Sequence, residues 1–180
     1  MRKLTSMLFM SLDGVVEAPN TFVRSDLYPD FPALIGETIA EQDAVLLGRK
    51  TYEEWADYWP ESTMEPFASF INGTPKYVVS ETLKTVEWAG SQTLSGELEN
   101  EITALKDRAG KAIGVHGSIS LVQSLVTAGL LDELRLIVVP AIAGRGRRLL
   151  SRDGDAIQLT FQSTRSTPKG LQYLVYRPCL

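Results

Sequence analysis

The chain has 180 residues, which suits one folded domain with a sizeable core and does not suggest two. Its hydrophobic share of 44% and charged share of 22% are ordinary for a globular enzyme, and no stretch approaches the roughly 20 apolar residues of a membrane helix. A formal charge of −4 argues against general affinity for nucleic acid, which needs a basic face. We therefore expect a single soluble domain over residues 1–180, with neither nucleic acid nor membrane as a partner.

The amino terminus and the cysteine content bear on location. Met1-Arg2-Lys3 precedes an apolar run, as in a signal peptide, but Ser6, Ser11 and Asp13 interrupt that run and no small-residue cleavage site follows. Cys179 is the one cysteine, so we expect neither a disulfide framework nor a metal site. A reducing cytoplasm fits both observations.

The first half of the chain alternates predicted strands and helices. These are a strand over 3–10, a loop over 13–30, a helix from Asp30 to Glu41, a strand over 44–47, a short helix from about Thr51, a turn at Asn72-Gly73 and a strand over 76–79. The apolar run 44–47 is short and lies between Asp43 and Gly48, which is typical of a strand buried on both faces.

The second half repeats this pattern with clearer periods. It predicts a helix that carries Leu98, Ile102 and Leu105 and ends by Gly110, a strand over 112–116, a helix over 118–128, a strand over 134–139, an alternating strand from Ile157 to Gln162, a turn over 168–170 and a last strand over 171–176. Helices between buried strands, with an antiparallel pair at the end, indicate an α/β fold around a mixed, mostly parallel sheet.

Three junctions at predicted strand ends combine glycine, hydroxyl and cationic residues. Gly48-Arg49-Lys50-Thr51 closes a buried strand and opens a helix, where backbone amides, charge and a hydroxyl suit a phosphate. Ser80 follows the next strand, and Gly117-Ser118 again links a strand to a helix. Because the carboxyl ends of parallel strands share one edge, the three junctions together predict a dinucleotide groove.

Each junction also has a plain structural interpretation. Gly48-Arg49 is equally consistent with a tight turn and a solvated arginine, whereas Ser80 alone favours a cap or turn and Ser118 an ordinary helix N-cap. A Rossmann fingerprint is excluded, because Leu149 occupies the third glycine position after Gly144-Arg145-Gly146.

Five segments in this order resemble the dihydrofolate-reductase-like superfamily, and within it the reductase domain of bacterial riboflavin biosynthesis in a stand-alone form. They are Met10 to Gly14, Leu46 to Glu53, Lys76 to Ser80, Val115 to Ser118, and Gly129 to Leu136 leading to Pro140 and Gly144. The resemblance covers nearly the whole chain and implies that superfamily's three-layer fold.

The resemblance implies NADPH as the cofactor and a homodimer as the assembly. The residues implied to bind the cofactor are Ser11, Gly14, Gly48, Arg49, Lys50, Thr51, Val79, Ser80, His116, Gly117, Ser118 and Ile119. Of these, Arg49 and Ser80 are expected near the 2′-phosphate, and Thr51 with Gly117-Ser118 at the pyrophosphate. An arginine fork gives paired, charge-assisted hydrogen bonds to a phosphate, which favours NADPH over NADH.

The implied reaction is hydride transfer to a small heterocyclic substrate, most like the 5-amino-6-(5-phosphoribosylamino)uracil of riboflavin biosynthesis. Asp13 is the candidate catalytic residue and substrate contact, with a plain turn former as its alternative. Gly144, Arg145 and Arg147 are candidate contacts to a substrate phosphate, and a solvated or dimer-edge loop is an equal alternative.

Two further interpretations stay open. Dihydrofolate is disfavoured, because folate reductases place a carboxylate on the first helix and here only Asp30, Glu37 and Glu41 are available, without a clean match. A non-catalytic module that binds a nucleotide or flavin is the second alternative. His116 is more often structural at such a position, although its reference pKa is near neutrality.

Overall fold

The computed structural model describes residues 1–24, 29–149 and 156–179. Its strands are β1 (Leu4–Ser11), β2 (Gln42–Gly48), β3 (Lys76–Val79), β4 (Ser91–Leu94), β5 (Ala112–His116), β6 (Glu133–Val139), β7 (Gln158–Ser166) and β8 (Gln172–Cys179). Its α-helices are α1 (Phe31–Ala40), α2 (Arg49–Tyr58), α3 (Phe67–Gly73), α4 (Leu98–Asp107) and α5 (Ile119–Thr127), with short 3-10 turns at Pro19–Thr21 and Trp59–Glu61.

The strands form one sheet in the order β4-β3-β2-β5-β1-β6-β8-β7. The six strands from β4 to β6 pair in parallel, whereas β8 is antiparallel to both β6 and β7. The predicted mixed, mostly parallel sheet with a C-terminal antiparallel hairpin is therefore confirmed.

Helices cover both faces of this sheet. Leu4 and Leu8 of β1 pack with α4 and α5 on one face, while Met7 and Phe9 pack with α1 on the other. The side chains of β2 alternate in the same way. Leu46 packs on the face that α4 and α5 cover, while Val45 and Leu47 pack on the other face with α2 and α3. Both faces are buried, so β2 and β6 contain uninterrupted apolar runs, over residues 44–47 and 136–139.

The prediction was wrong at Asn72-Gly73, which is the end of α3 and not an isolated turn. Helix α3 has only seven residues, and strand β4 has Leu94 as its one apolar side chain, so neither shows a recognisable apolar period. Lys76 stabilises this end of α3, because its fully buried ammonium donates to the carbonyl oxygens of Ile71 and Thr74, each at 2.9 Å.

Two smaller differences concern a helix start and a loop. The helix expected from about Thr51 begins at Arg49, directly after β2. The loop predicted over 13–30 includes residues 25–28, which lie outside the described residues. Within the described ranges, no helix is both long and apolar enough to cross a bilayer.

Candidate active site

The predicted site residues follow strands whose carboxyl ends share one edge of the sheet. Gly48 of β2 is the register partner of Val79 of β3, so Arg49 and Ser80 directly follow paired positions. Ser11 of β1 is in turn paired with Val139 of β6. We call this carboxyl edge of β3, β2, β5, β1 and β6, with the loops that follow those strands, the rim.

Reciprocal hydrogen bonds join the β2–α2 and β5–α5 junctions at the rim. The amide of Gly48 donates to Ser118 Oγ at 2.8 Å, and the amide of Ser118 donates to Thr51 Oγ1 at 3.0 Å. Residues 67 to 70 positions apart in sequence are thereby held in contact. Both predicted hydroxyls therefore position the two loops relative to each other, and their contact with a ligand stays a prediction.

Backbone geometry at the β5–α5 junction suits an anion. Gly117 and Ser118 are both left-handed, with φ of 57° and 52°, and a Cβ on Gly117 would lie 2.9 Å from Thr51 Cγ2. No side chain caps the start of α5, whose Ile119 begins a nine-residue helix. The first amides of a helix have no intrahelical acceptor, so this end of α5 presents donors and a positive dipole. A phosphate fits this junction.

Arg49 and Glu53 form an ion pair on the first turns of α2. Arg49 Nη1 donates to Glu53 Oε1 at 3.0 Å and to Oε2 at 3.1 Å. Both side chains are well exposed, with relative areas of 42% and 46%. Lys50 and Lys84 are also exposed. Sequence reasoning missed Glu53 as part of the site, although its i,i+4 spacing from Arg49 is the ordinary signal for such a pair.

The hydroxyl of Ser80 serves the turn after β3. It accepts hydrogen bonds from the amides of Thr82 at 3.2 Å and Leu83 at 3.0 Å, and the residue is only 9% exposed. This is the cap interpretation that the sequence already favoured. Contact between Ser80 and a 2′-phosphate stays a prediction.

A tight turn follows β1. Ser11 is fully buried, and its Oγ donates to Asp13 Oδ1 at 2.7 Å while accepting from the amide of Val15 at 3.0 Å. Gly14 closes the turn with φ of 83°, and its amide donates to the carbonyl oxygen of Ser11 at 2.9 Å. Both predicted cofactor contacts thus lie at the rim, with the Ser11 hydroxyl engaged internally.

Asp13 holds the loop after β6. Its two carboxylate oxygens accept from the amides of Ala143 and Gly144, each at 2.9 Å. The Ser11 hydroxyl, followed by these loop amides, lowers the pKa of Asp13 from 3.8 to about 2. Asp13 is therefore ionised at neutral pH and is not poised to donate a proton. Its role as a catalytic residue or substrate contact stays a prediction.

The basic loop over residues 144–148 contacts the start of α5. Arg147 Nη2 donates to Ser120 Oγ in the first turn of α5 at 2.8 Å, and Arg148 Nε donates to the carbonyl oxygen of Asp13 at 2.9 Å. Arg145 is exposed. The loop that carries the predicted substrate contacts thus lies against the β1 turn and the start of α5, with Arg147 beside the predicted pyrophosphate site. Ser120 was missed in the sequence, because nothing local marks a helix hydroxyl as the partner of a distant arginine.

Two apolar side chains at the rim were also missed. Leu12 and Ile142 are 65% and 78% exposed, and the amide of Leu12 donates to the carbonyl oxygen of Ala141 at 2.8 Å. They lie on either side of the Asp13 turn, and their exposed apolar surface could pack against the flat ring of a ligand. No sequence pattern separates them from ordinary surface residues.

The His116 side chain lies inside the core and not at the rim. It is 3% exposed, its Nε2 is 2.8 Å from Gln42 Oε1, and the rings of Phe67 and Phe70 pack against it at centroid distances of 5.2 and 5.8 Å. Burial lowers the pKa of His116 to about 4, so it is neutral at physiological pH. A contact with a cofactor would have to come from its backbone.

The carboxylates of Glu37 on α1 and of Glu41, directly after α1, pair with arginines away from the rim. Glu37 accepts from Arg165 at 2.8 Å and Glu41 accepts from Arg135 at 2.8 Å. A cavity of about 420 Å³ between α1, β6, β7 and β8 is lined by these pairs, by Glu133 and by Tyr173. Because every charged group that lines it has a partner of opposite charge, we consider the rim the better candidate for chemistry.

Comparison with known proteins places this geometry in a family. The model of the RibD C-terminal domain matches residues 2–173. The uncharacterized protein YyaP of Bacillus subtilis (strain 168) is 28% identical over 180 residues, which cover 97% of this chain and 94% of YyaP.

Two solved structures share the fold. A candidate riboflavin biosynthesis protein from Shewanella sp. PV-4 matches with a TM-score of 0.74 and 16% identity over 99% of each chain. The dihydrofolate reductase of Enterococcus faecalis, complexed with NADP(H), matches with a TM-score of 0.62 and 16% identity over 98% of this chain and 96% of that one. The dihydrofolate-reductase-like fold expected from the sequence is confirmed.

Proposed function

The chain belongs to the RibD C-terminal domain family, and from this premise we propose that it is an NADPH-dependent reductase of a small heterocyclic substrate. The observation that carries the proposal is the joined pair of strand–helix junctions, where Gly48 and Thr51 bind Ser118 and the uncapped start of α5 lies beside them. Such a junction provides amide donors and positive potential for a pyrophosphate.

Each part of the rim supplies a different contact in this proposal. The Arg49 guanidinium binds the 2′-phosphate, and the first amides of α5, which follow Ser118, bind the pyrophosphate. Leu12 and Ile142 shield flat rings from water. NADPH supplies the hydride when bound, while the protein orients both ligands and excludes solvent.

The substrate we propose is 5-amino-6-(5-phosphoribosylamino)uracil or a related phosphorylated heterocycle. Arg145 is exposed and forms no ion pair with a carboxylate among the described residues, so it suits a phosphate on the substrate. Dihydrofolate is the weaker alternative, because Glu37 and Glu41 bind Arg165 and Arg135 and do not face the rim.

Binding measurements test the cofactor. Isothermal titration should give a lower Kd for NADPH than for NADH, and Arg49→Gln should raise the NADPH Kd about 10- to 100-fold with little change for NADH, the loss expected for charge-assisted hydrogen bonds. Lys169→Gln, which removes an exposed cation on the β7–β8 turn, is the matched control. Equal affinity for both nucleotides, unaffected by Arg49→Gln, would rule out the proposed cofactor site.

Turnover separates the enzyme from a non-catalytic module. Oxidation of NADPH followed at 340 nm should depend on the riboflavin precursor and be much slower with dihydrofolate. Tight NADPH binding without oxidation by either compound, or by a panel of imines and carbonyls, would favour a nucleotide-binding module instead.

A further inference from the structure

Glu53 is the nearest acidic group to the guanidinium that the proposed function assigns to the 2′-phosphate. Its two carboxylate oxygens lie 3.0 and 3.1 Å from Arg49 Nη1, one helical turn along α2. Resting on that proposed function, we propose that Glu53 is a specificity-determining residue that weakens the preference of this protein for NADPH over NADH.

Competition for one guanidinium is the physical basis. Arg49 has five N–H donors, so a phosphate can bind its outer donors while Glu53 keeps Nη1. Both anions then contact the same small cation, which places them about 4–6 Å apart at the protein surface, where like charges still repel measurably. The 2′-phosphate therefore binds against the repulsion of Glu53.

The opposite effect, in which Glu53 helps by holding Arg49 in position, is smaller. The pair is exposed, with relative side-chain areas of 42% and 46%, and spans an i,i+4 step. Exposed pairs of this kind are weak and easily broken by solvent and salt. Repulsion of a phosphate that carries nearly two negative charges outweighs so weak a positioning effect.

NADH experiences neither effect. Without a 2′-phosphate, the ribose hydroxyl brings no charge, and the Arg49 cation remains neutralised by Glu53 instead of facing the ligand unpaired. Glu53 therefore lowers the affinity for NADPH and leaves that for NADH almost unchanged, which narrows the difference between the two cofactors.

Substitution of Glu53 tests this directly. We expect Glu53→Gln to lower the NADPH Kd about 3- to 10-fold at low ionic strength, from the Coulomb energy of charges at this separation, and to leave the NADH Kd within about twofold. The gain should shrink as salt is added, because the site is exposed. Titration calorimetry with NADPH, NADP+ and NADH gives these values without turnover.

Two controls isolate the pair. Glu54→Gln removes the same charge from the next, exposed position of α2 and should leave the ratio of the NADPH and NADH affinities unchanged. In an Arg49→Gln background, Glu53→Gln should lose most of its effect, since the shared guanidinium is gone. Melting temperatures of all variants should match that of the wild type, as expected for an exposed pair.

The outcomes are distinct from those for the proposed function. If the wild type binds neither nucleotide, the cofactor assignment and this inference fall together. If the wild type prefers NADPH but Glu53→Gln weakens or does not alter NADPH binding, or if Glu54→Gln has the same effect, only the role of Glu53 is overturned.

Discussion

The buried histidine predicts a pH dependence of folding that is separate from catalysis. The pKa of His116 is about 4 in the folded chain, against 6.5 for an exposed histidine, because burial disfavours its charged form. Between those values the unfolded chain takes up a proton that the folded chain excludes, so stability falls as the pH falls from 6.5 to about 4. The loss is on the order of 3 kcal/mol, and above pH 6.5 the histidine contributes none.

Urea unfolding of the wild type and of His116→Gln at pH 7, 5.5 and 4.5 measures this contribution. Glutamine keeps a polar partner for Gln42 but does not titrate. The free energy of unfolding of the variant should therefore rise relative to that of the wild type as the pH falls. Parallel pH profiles for the two proteins would contradict the buried, neutral state of His116.

At the scale of single residues, the sequence predicted positions better than contacts. Gly48, Ser80 and Gly117 all lie at the rim where the strand ends were expected to meet. The hydroxyls of Ser11 and Ser118, however, are engaged by Asp13 and Gly48, because short polar side chains near a strand end satisfy nearby backbone first. Which side chains remain free depends on loop geometry that no spacing encodes.

At the scale of elements, Asp13 joins the β1 turn to the loop after β6, 131 residues from Gly144. Asp13→Asn replaces one of its two acceptor oxygens with an N–H donor facing a backbone amide, which should release this loop. Because the loop contains Arg145, Arg147 and Arg148, limited digestion with trypsin should cut the variant there several times faster than the wild type.

The matched control for this digestion is Asp30→Asn, since Asp30 precedes α1 without capping it through its side chain. Mass spectrometry of the fragments locates the cuts. Equal cleavage after Arg145 to Arg148 in the wild type and in Asp13→Asn would show that Asp13 does not hold the loop.

Elements were predicted where the sequence shows a distinct apolar run or period. Strands β3 and β5 were predicted at their observed bounds, and α5 within one residue at each end. Helix α3 was missed, because Asn72-Gly73 at its end is also a turn signal. The end of the helix is stabilised by Lys76, which lies three residues after the helix and donates to the carbonyl oxygens of Ile71 and Thr74. These contacts span only two to five positions, but the lysine belongs to the following strand, and nothing in the sequence indicates that its side chain folds back onto the helix.

At the scale of the whole molecule, the order of the strands in the sheet could not be predicted from periodicity alone. Strand β5 lies between β1 and β2, and β1 pairs with β6, which follows it by more than a hundred residues. Periodicity predicts that strands exist, whereas their neighbours depend on how crossovers pack. The rim was nevertheless predicted from distant segments, because the carboxyl ends of parallel strands share one edge of a sheet whatever their order.

The two edges of the sheet differ, and this difference bears on the homodimer that the family resemblance implies. Strand β4 has four residues, whereas β7 has nine and carries no charged side chain from Gln158 to Thr164. Phe161 on β7 is 56% exposed and packs only edge-on against Tyr176, at 6.1 Å between ring centroids, among the described aromatic rings. A long, uncharged edge with an exposed aromatic ring is suited to pair with another strand, so we predict that two copies associate through β7.

Sedimentation velocity tests this assembly with one charge placed on either edge. Phe161→Lys should shift the wild-type dimer toward monomer by at least about tenfold in Kd, because a buried aromatic contact is lost and a cation would have to be desolvated. Gln92→Lys, on the exposed β4 edge, should leave the dimer intact. A monomeric wild type would exclude the dimer. A dimer that survives Phe161→Lys but dissociates with Gln92→Lys would place the contact at β4 and not at β7.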